Sequence, residues 1–375
     1  MRLRRCCPIL AAVLLGSLIT AAGPGPANAA PAGAAAWPGQ WHLEFLRVAA
    51  AHRMSTGTGI RIGVVDTGVA DHPDLRRNLR QRIDLVAGRS GAPATEPADV
   101  DGHGTAMAGL IAAHGRPDGS GVLGLAPDAA VVSVRDRSLS GAASADGVAA
   151  GITAAVAAGV DVVNVSTATA PSPALARAVE TAIAADVVVV AAAGNRPRDH
   201  GVAFPAFIDG VVAVGAIGRD GNHHPLSVTG PGIVLTAPGE HLRTTGSDGG
   251  YREVTGTSAA AALVSGAAAL VRARFPELTA PQVVARLTAT AVDRGQPGRD
   301  EQYGHGVLDL VAALSDGPPA PPHETPAAAA AVGAVAGGGA GPPRPDGFVL
   351  AGTAIAAALL VAVPVLVLRR RRGRR

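Results

Sequence analysis

The chain runs to 375 residues, 48% of them hydrophobic and 16% charged, which excludes a disordered chain and leaves room for one large domain with accessory segments. Aromatics are only 2%, and 49 Gly and 29 Pro follow no three-residue period, so neither a base-stacking nucleic-acid binder nor a collagen-like fibre fits. The net charge of +3 is misleading: every one of the 32 basic residues is Arg, nine of them lie within 1–29 and 369–375, and the stretch between sets 23 Arg against 29 acids, so no basic face supports nucleic-acid binding.

Residues 1–29 read as a secretory signal. Arg2, Arg4 and Arg5 form a positive start, residues 9–22 are apolar, and Ala27-Asn28-Ala29 fits the small-x-small cleavage rule. The alternative is an uncleaved anchor. Cys6 and Cys7, the only cysteines, fall in this segment. Its removal leaves neither a thiol nucleophile nor a disulfide. Residues 30–57 form an N-terminal extension holding Trp37 and Trp41, the only tryptophans. They read as packing of that extension on the following domain; the alternative is a segment that blocks a cleft until processed.

From residue 58 apolar runs alternate with helical stretches. Strands are expected at 58–65, 130–134, 160–165, 187–193, 211–216 and 232–237. Helices are expected at 104–114, 143–158, 174–185, 258–274 and 279–291, the last opening on Thr279 with Pro281 in its first turn. That alternation argues for an α/β fold: a mainly parallel sheet covered on both faces, with its site at the carboxyl edge.

Residues 314–346 are a Pro/Ala/Gly-rich linker. Residues 347–368 are expected to be a transmembrane helix, since 348–368 carry no charge and span about 31 Å as a helix. The tail 369–375, six of seven Arg, belongs in the cytoplasm by the positive-inside rule. The expected product is a single-pass protein of the cell membrane with its large domain outside.

Three Gly-flanked polar points carry the chemistry. Asp66 closes the first strand in Val65-Asp66-Thr67-Gly68. His103 lies in Asp101-Gly102-His103-Gly104-Thr105, and Ser258 in Gly256-Thr257-Ser258, each at a helix start. A serine nucleophile needs a base, and the base needs a carboxylate to fix its tautomer. Asn195, in Ala193-Gly194-Asn195 after a buried strand, is placed to donate to an oxyanion.

These motifs, with Asp71-His72-Pro73-Asp74-Leu75 and Ala237-Pro238-Gly239, resemble the subtilisin-like serine proteases, peptidase family S8, over roughly residues 58–313. The resemblance implies a three-layer subtilisin-like fold and an endopeptidase with no cofactor. It casts Asp66 as the group orienting His103, His103 as general base and acid, and Ser258 as nucleophile. Asn195 and the Ser258 N–H then form the oxyanion hole. Ser166, Thr167 and Ala168 stand where the family's substrate-binding strand commonly reads Ser-Leu-Gly. Ala259 and Ala262 replace a commonly larger residue and a proline.

A narrower resemblance is to the mycosins, the membrane-anchored members of actinobacterial type VII secretion. The signal, the stretch Gln40-Trp41-His42-Leu43 and the Pro-rich linker before one span carry it. It implies a protein or peptide substrate and a type VII secretion membrane complex as partner. The competing reading is a scaffold subunit of that complex with little required proteolysis. No metal site is expected. His223-His224 read as a solvated turn, and the sequon Asn164-Val165-Ser166 as structural because it falls on the expected binding strand.

Overall fold

The computed structural model describes residues 39–86, 99, 101–116, 118–137 and 143–317. The valine-rich runs become the interior strands of a seven-stranded sheet. These are β1 (Arg61–Asp66), β3 (Ala130–Arg135), β4 (Val162–Val165), β5 (Val188–Ala192) and β6 (Val212–Ile217), with β2 (Leu79–Asp84) at one edge and β7 (Leu235–Pro238) at the other. The spatial order is β2-β3-β1-β4-β5-β6-β7. Every neighbouring pair is parallel, so continuous apolar runs are required because both faces are covered.

The pleat divides the strands between two layers. On one face pack α3 (His103–Ala112), α6 (Thr257–Arg274), α7 (Ala280–Ala289) and α8 (Leu310–Leu314); on the other, α4 (Ala145–Ala157) and α5 (Pro173–Ala184). Val188, Val190 and Ala192 of β5 join the α6 side, while Val189 and Ala191 join the α4–α5 side. Ile62 and Val64 of β1 also face α3 and α6, and the same alternation turns Asp66 to that face. A hairpin of β8 (Leu242–Thr245) and β9 (Tyr251–Val254) stands apart from the main sheet and leads into α6.

Helix ends follow their sequence signals. Ser144 and Ser172 cap α4 and α5 by accepting from Gly147 and Leu175 N–H. Thr279 and Gln282 form a capping box on α7. The alanines of α6 up to Ala269, including Ala259 and Ala262, are buried. Their small side chains let this 18-residue helix lie in the core against β4, β5 and β6.

The N-terminal extension is partly in view and joins the same core. In and between α1 (Trp41–Phe45) and α2 (Val48–Ala51), Leu43, Leu46, Val48 and Ala51 are buried with the α3–α6 layer. Gln40 donates to the Leu123 carbonyl and accepts from its N–H, both at 2.9 Å. Trp41 Nε1 donates to the Glu240 carbonyl at 2.9 Å. Trp41 thus packs on the body, and Trp37 lies outside the described residues. So do the expected signal at 1–29, the membrane span at 347–368 and the Arg tail. Among the described residues no helix is long and apolar enough to cross a membrane.

Candidate active site

Asp66 ends β1, and His103 opens α3. Helix α3 can start there because position 104 is glycine: a Cβ on Gly104 would stand 2.0 Å from the Gly68 carbonyl oxygen. The close approach sets His103 Nδ1 at 2.8 Å and 2.9 Å from the two Asp66 carboxylate oxygens. Asp66 is fully buried, while the His103 side chain keeps 29% of its surface. One carboxylate oxygen of Asp66 also accepts from the Thr67 N–H at 2.7 Å and from Arg137 Nη2 at 3.0 Å.

Burial by itself would push the Asp66 carboxyl up. The charges of His103 and Arg137, with hydrogen bonds from His103 and the Thr67 N–H, outweigh it and hold the group down at about 2. For His103, burial pushes down, but the Asp66 charge and hydrogen bond win and raise it, against the opposing pull of Arg137. Asp66 therefore stays ionised, and it fixes the tautomer that leaves His103 Nε2 as the basic nitrogen.

Ser258 is the second residue of α6. Its N–H belongs to the first helical turn, where no intrahelical acceptor exists and the helix dipole is positive. Its hydroxyl donates to the Ser166 carbonyl at 3.0 Å, and the Ser166 hydroxyl donates back to the Ser258 carbonyl at 3.0 Å. A hydroxyl carries one proton, so in this rotamer it is not donated to His103. Asn164 lies behind this pair: its Nδ2 donates to Ser166 Oγ, and its Oδ1 accepts from the Ser265 hydroxyl, both at 3.0 Å. The sequon asparagine is thus a buried tie between β4 and α6.

Asn195 follows β5. Its Oδ1 accepts from the Thr257 N–H at 2.9 Å and the Thr257 hydroxyl at 3.1 Å. With Oδ1 engaged, the amide is oriented and Nδ2 is its donor end. Gly256 makes this approach possible: its φ is +146°, and a Cβ there would lie 3.3 Å from the Asn195 amide.

One cleft of about 780 Å³ gathers His103, Asn195 and Ser258 with Ser166, Thr167 and Ala168. Its lining includes a bridge-forming Thr169 paired with Phe204, and charged residues at the rim such as Asp101, Arg198 and Arg252. Every site residue named from sequence is thereby brought together, Asp66 from behind through His103. None of the described N-terminal extension lines the cleft.

Two contributors escape a reading of the sequence. Buried Asp99 accepts from the Thr67 hydroxyl at 2.8 Å, the Gly102 N–H at 2.9 Å and the Thr105 N–H at 2.8 Å. It ties the strand end that bears Asp66 to the helix start that bears His103. Arg137, just past β3, pairs with Asp66 and Asp136. The signal was a charged run, Arg135-Asp136-Arg137, at the end of an otherwise apolar strand. His223 and His224 are corrected: they are half-buried, not solvated, because His223 packs edge-on against Tyr303 and its N–H donates to the Tyr303 hydroxyl at 2.8 Å. Among the described residues no cluster of His, Cys, Asp and Glu is arranged to hold a metal ion.

Several known proteases are similar to this chain. A thermostable alkaline protease of Halalkalibacterium halodurans is 38% identical over 272 residues, covering 72% of this chain and 71% of that protein. The crystal structure of MycP1 with its N-terminal propeptide removed is 34% identical with a TM-score of 0.65, over 75% of this chain and 98% of that one. MycP3 protease from the type VII (ESX-3) secretion system is 33% identical with a TM-score of 0.63, over 74% and 89%. The pattern of the subtilase family, peptidase S8, matches residues 57–306, from the strand that delivers Asp66 to the segment beyond α7, and this chain belongs to that family of serine endopeptidases.

Proposed function

We propose that the chain is a membrane-anchored, mycosin-type serine endopeptidase working through Asp66, His103 and Ser258. The observation that carries this is the bond of His103 Nδ1 to buried Asp66 in a cleft shared with Ser258 and Asn195. Rotation of Ser258 about χ1 frees its hydroxyl from the Ser166 carbonyl and turns it to His103 Nε2. As Oγ attacks the scissile carbonyl carbon, its proton passes to Nε2, and Asp66 stabilises the imidazolium without taking the proton. The carbonyl oxygen becomes an oxyanion facing Asn195 Nδ2 and the Ser258 N–H. Collapse breaks the C–N bond, His103 gives its proton to the leaving amine, and an acyl-enzyme remains for water to hydrolyse by the same relay.

The placement in type VII secretion is supported by the likeness to MycP1 and MycP3 together with the signal, linker and apolar segment in the sequence. The catalytic domain would then lie outside the cytoplasmic membrane and the Arg tail inside. A serine-directed fluorophosphonate tests the chemistry. It should label the wild-type chain and leave Ser258→Ala unlabelled with no turnover; labelling that survives the substitution removes Ser258 as nucleophile. Protease shaving of spheroplasts tests the topology: cleavage of the tail with the catalytic domain protected would reverse it.

A further inference from the structure

Arg137 is built into the triad in a way that peptide hydrolysis by Asp66, His103 and Ser258 does not require. Its guanidinium leaves 11% of its side chain exposed and spans two fully buried carboxylates. Nη2 donates to Asp66 Oδ1 at 3.0 Å, and Nη1 to Asp136 Oδ1 at 3.1 Å. Asp66 faces the α3–α6 layer, whereas the Asp136 Cβ packs toward the α4 backbone at Gly151. The arginine therefore bridges the carboxyl edge of the sheet from one face to the other, with β1 and β3 in register beneath it at Asp66 and Arg135.

The oxygen that Arg137 engages is the one that also takes the His103 and Thr67 protons. A cation there opposes the positive charge that His103 must gain when it accepts the Ser258 proton. We propose that Arg137 is a positioning residue that restrains the basicity of His103 through Asp66, and that Asp136 sets the strength of this restraint by sharing the guanidinium. This rests on the triad assignment proposed above.

Other charges facing His103 are Asp101, just before α3, and Arg135 at the end of β3. Across the cleft stand Arg252 and Glu253 of β9, and Arg198 and Asp199 beyond β5. Arg198 and Asp199 pair with each other at 3.1 Å, and Arg252 donates to the Asp101 carbonyl at 3.0 Å. Among the described residues, Arg137 is the cation that lies against the carboxylate holding the imidazole.

The test is the acid limb of kcat/KM against pH, which reports the free-enzyme base, on enzyme counted by active-site titration. Removing the cation in Arg137→Met should move the midpoint upward by about one unit, the low end of what a charge within 4–6 Å does. Arg137→Lys, which keeps the charge, should return it most of the way. Asp136→Asn, which removes the competing negative charge from the guanidinium and leaves its charge to Asp66, should move it downward. Opposite shifts from two neighbouring substitutions cannot arise from general loosening of the loop, which would lower the plateau and leave the midpoint in place. A coincident or lowered limb in Arg137→Met overturns the proposal, as does a Lys variant displaced as far as the Met variant. Should Arg137→Met fail to fold, an unmoved or raised limb in Asp136→Asn does the same. An inactive wild type would instead sink the triad assignment.

Discussion

Histidines 42 and 103 lie on helices packed against the same layer of the core, and their surroundings are opposite. His42, in the N-terminal arm, is fully buried, and neither ring nitrogen has a hydrogen-bond partner among the described residues. Burial pushes it down to about 3, so it is a neutral packing group. His103, at the cleft, is partly open and meets a buried carboxylate, which raises it. Burial removes a histidine from acid–base chemistry; a carboxylate at 2.8 Å restores it. The same side chain is thus a packing group in the arm and a titratable one in the cleft, and the charge beside it decides which.

The largest effect should come from breaking the cleft side. His103→Ala should lower kcat by more than about 10⁴-fold, the order seen when a triad member is removed from subtilisin, a relative in the same family. Fluorophosphonate labelling should fall in step, with the thermal midpoint nearly kept. His42→Ala should do the reverse, costing stability by opening a cavity while leaving kcat of the folded fraction unchanged.

Asn195→Ala comes next. Oxyanion donors bind the charged intermediate far better than the ground-state carbonyl, so kcat should fall with KM little changed. The expected loss is about 10²–10³-fold, a figure taken from the equivalent donor of subtilisin rather than from this chain. If Asn195 served only to hold the turn through Thr257, the variant would lose stability and keep its kcat.

Asp99→Asn sharpens the comparison by loosening the cleft without touching a reacting atom. Its carboxylate accepts four N–H or O–H protons at 2.5–2.9 Å, and an amide NH₂ turned to any of them sets donor against donor. A loss of about 1–3 kcal/mol is expected in denaturant unfolding, together with a lower kcat as the His103 helix start shifts.

These roles differ in how far the sequence displays them. The interior strands β1 and β3–β6 are legible because burial on both faces demands unbroken Val and Ala. The edge strand β2 is not: Leu-Arg-Gln-Arg-Ile-Asp is mostly exposed, so it carries no apolar run. The hairpin strands Leu242–Thr245 and Tyr251–Val254 are missed because each is four residues long and carries no apolar run, although Leu242, Thr244 and Thr245 are buried. Strand β7 begins at Leu235 rather than 232 because the Ile233 N–H closes a turn on the Gly230 carbonyl at 3.1 Å. Within the site, Asp66, His103, Asn195 and Ser258 announce themselves by glycines that sharp turns require. Asp99 and Arg137 do not, since the partners that tie them to the site, Thr67 and Asp66, lie 32 and 71 residues away and only the folded sheet edge joins them.

The smallest effect separates the two histidines by the sign of their linkage to pH. The folded-state value of His42 lies below its ordinary 6.5, so between about 6.5 and 3 the unfolded chain binds a proton that the folded chain refuses. Stability then falls with acidification by up to about 1.4 kcal/mol per pH unit, a tenfold change in the unfolding constant. His103 runs the other way: its contribution is complete below 6.5 and is lost as pH rises through its raised folded value. Asp66 is silent in this window, because its contribution is present above 3.8 and fades only as pH drops toward about 2. His52, His72, His223 and His305 are also lowered by burial, but they are common to wild type and variant. The difference in unfolding free energy between wild type and His42→Leu, measured from pH 7 to 4.5, therefore isolates His42. It should be flat near neutrality and then climb in favour of the variant at close to one proton's slope below pH 6.5. A difference that stays flat across the whole range would mean that the arm detaches or rearranges to admit the proton, and that its packing is not part of the folded core at acid pH.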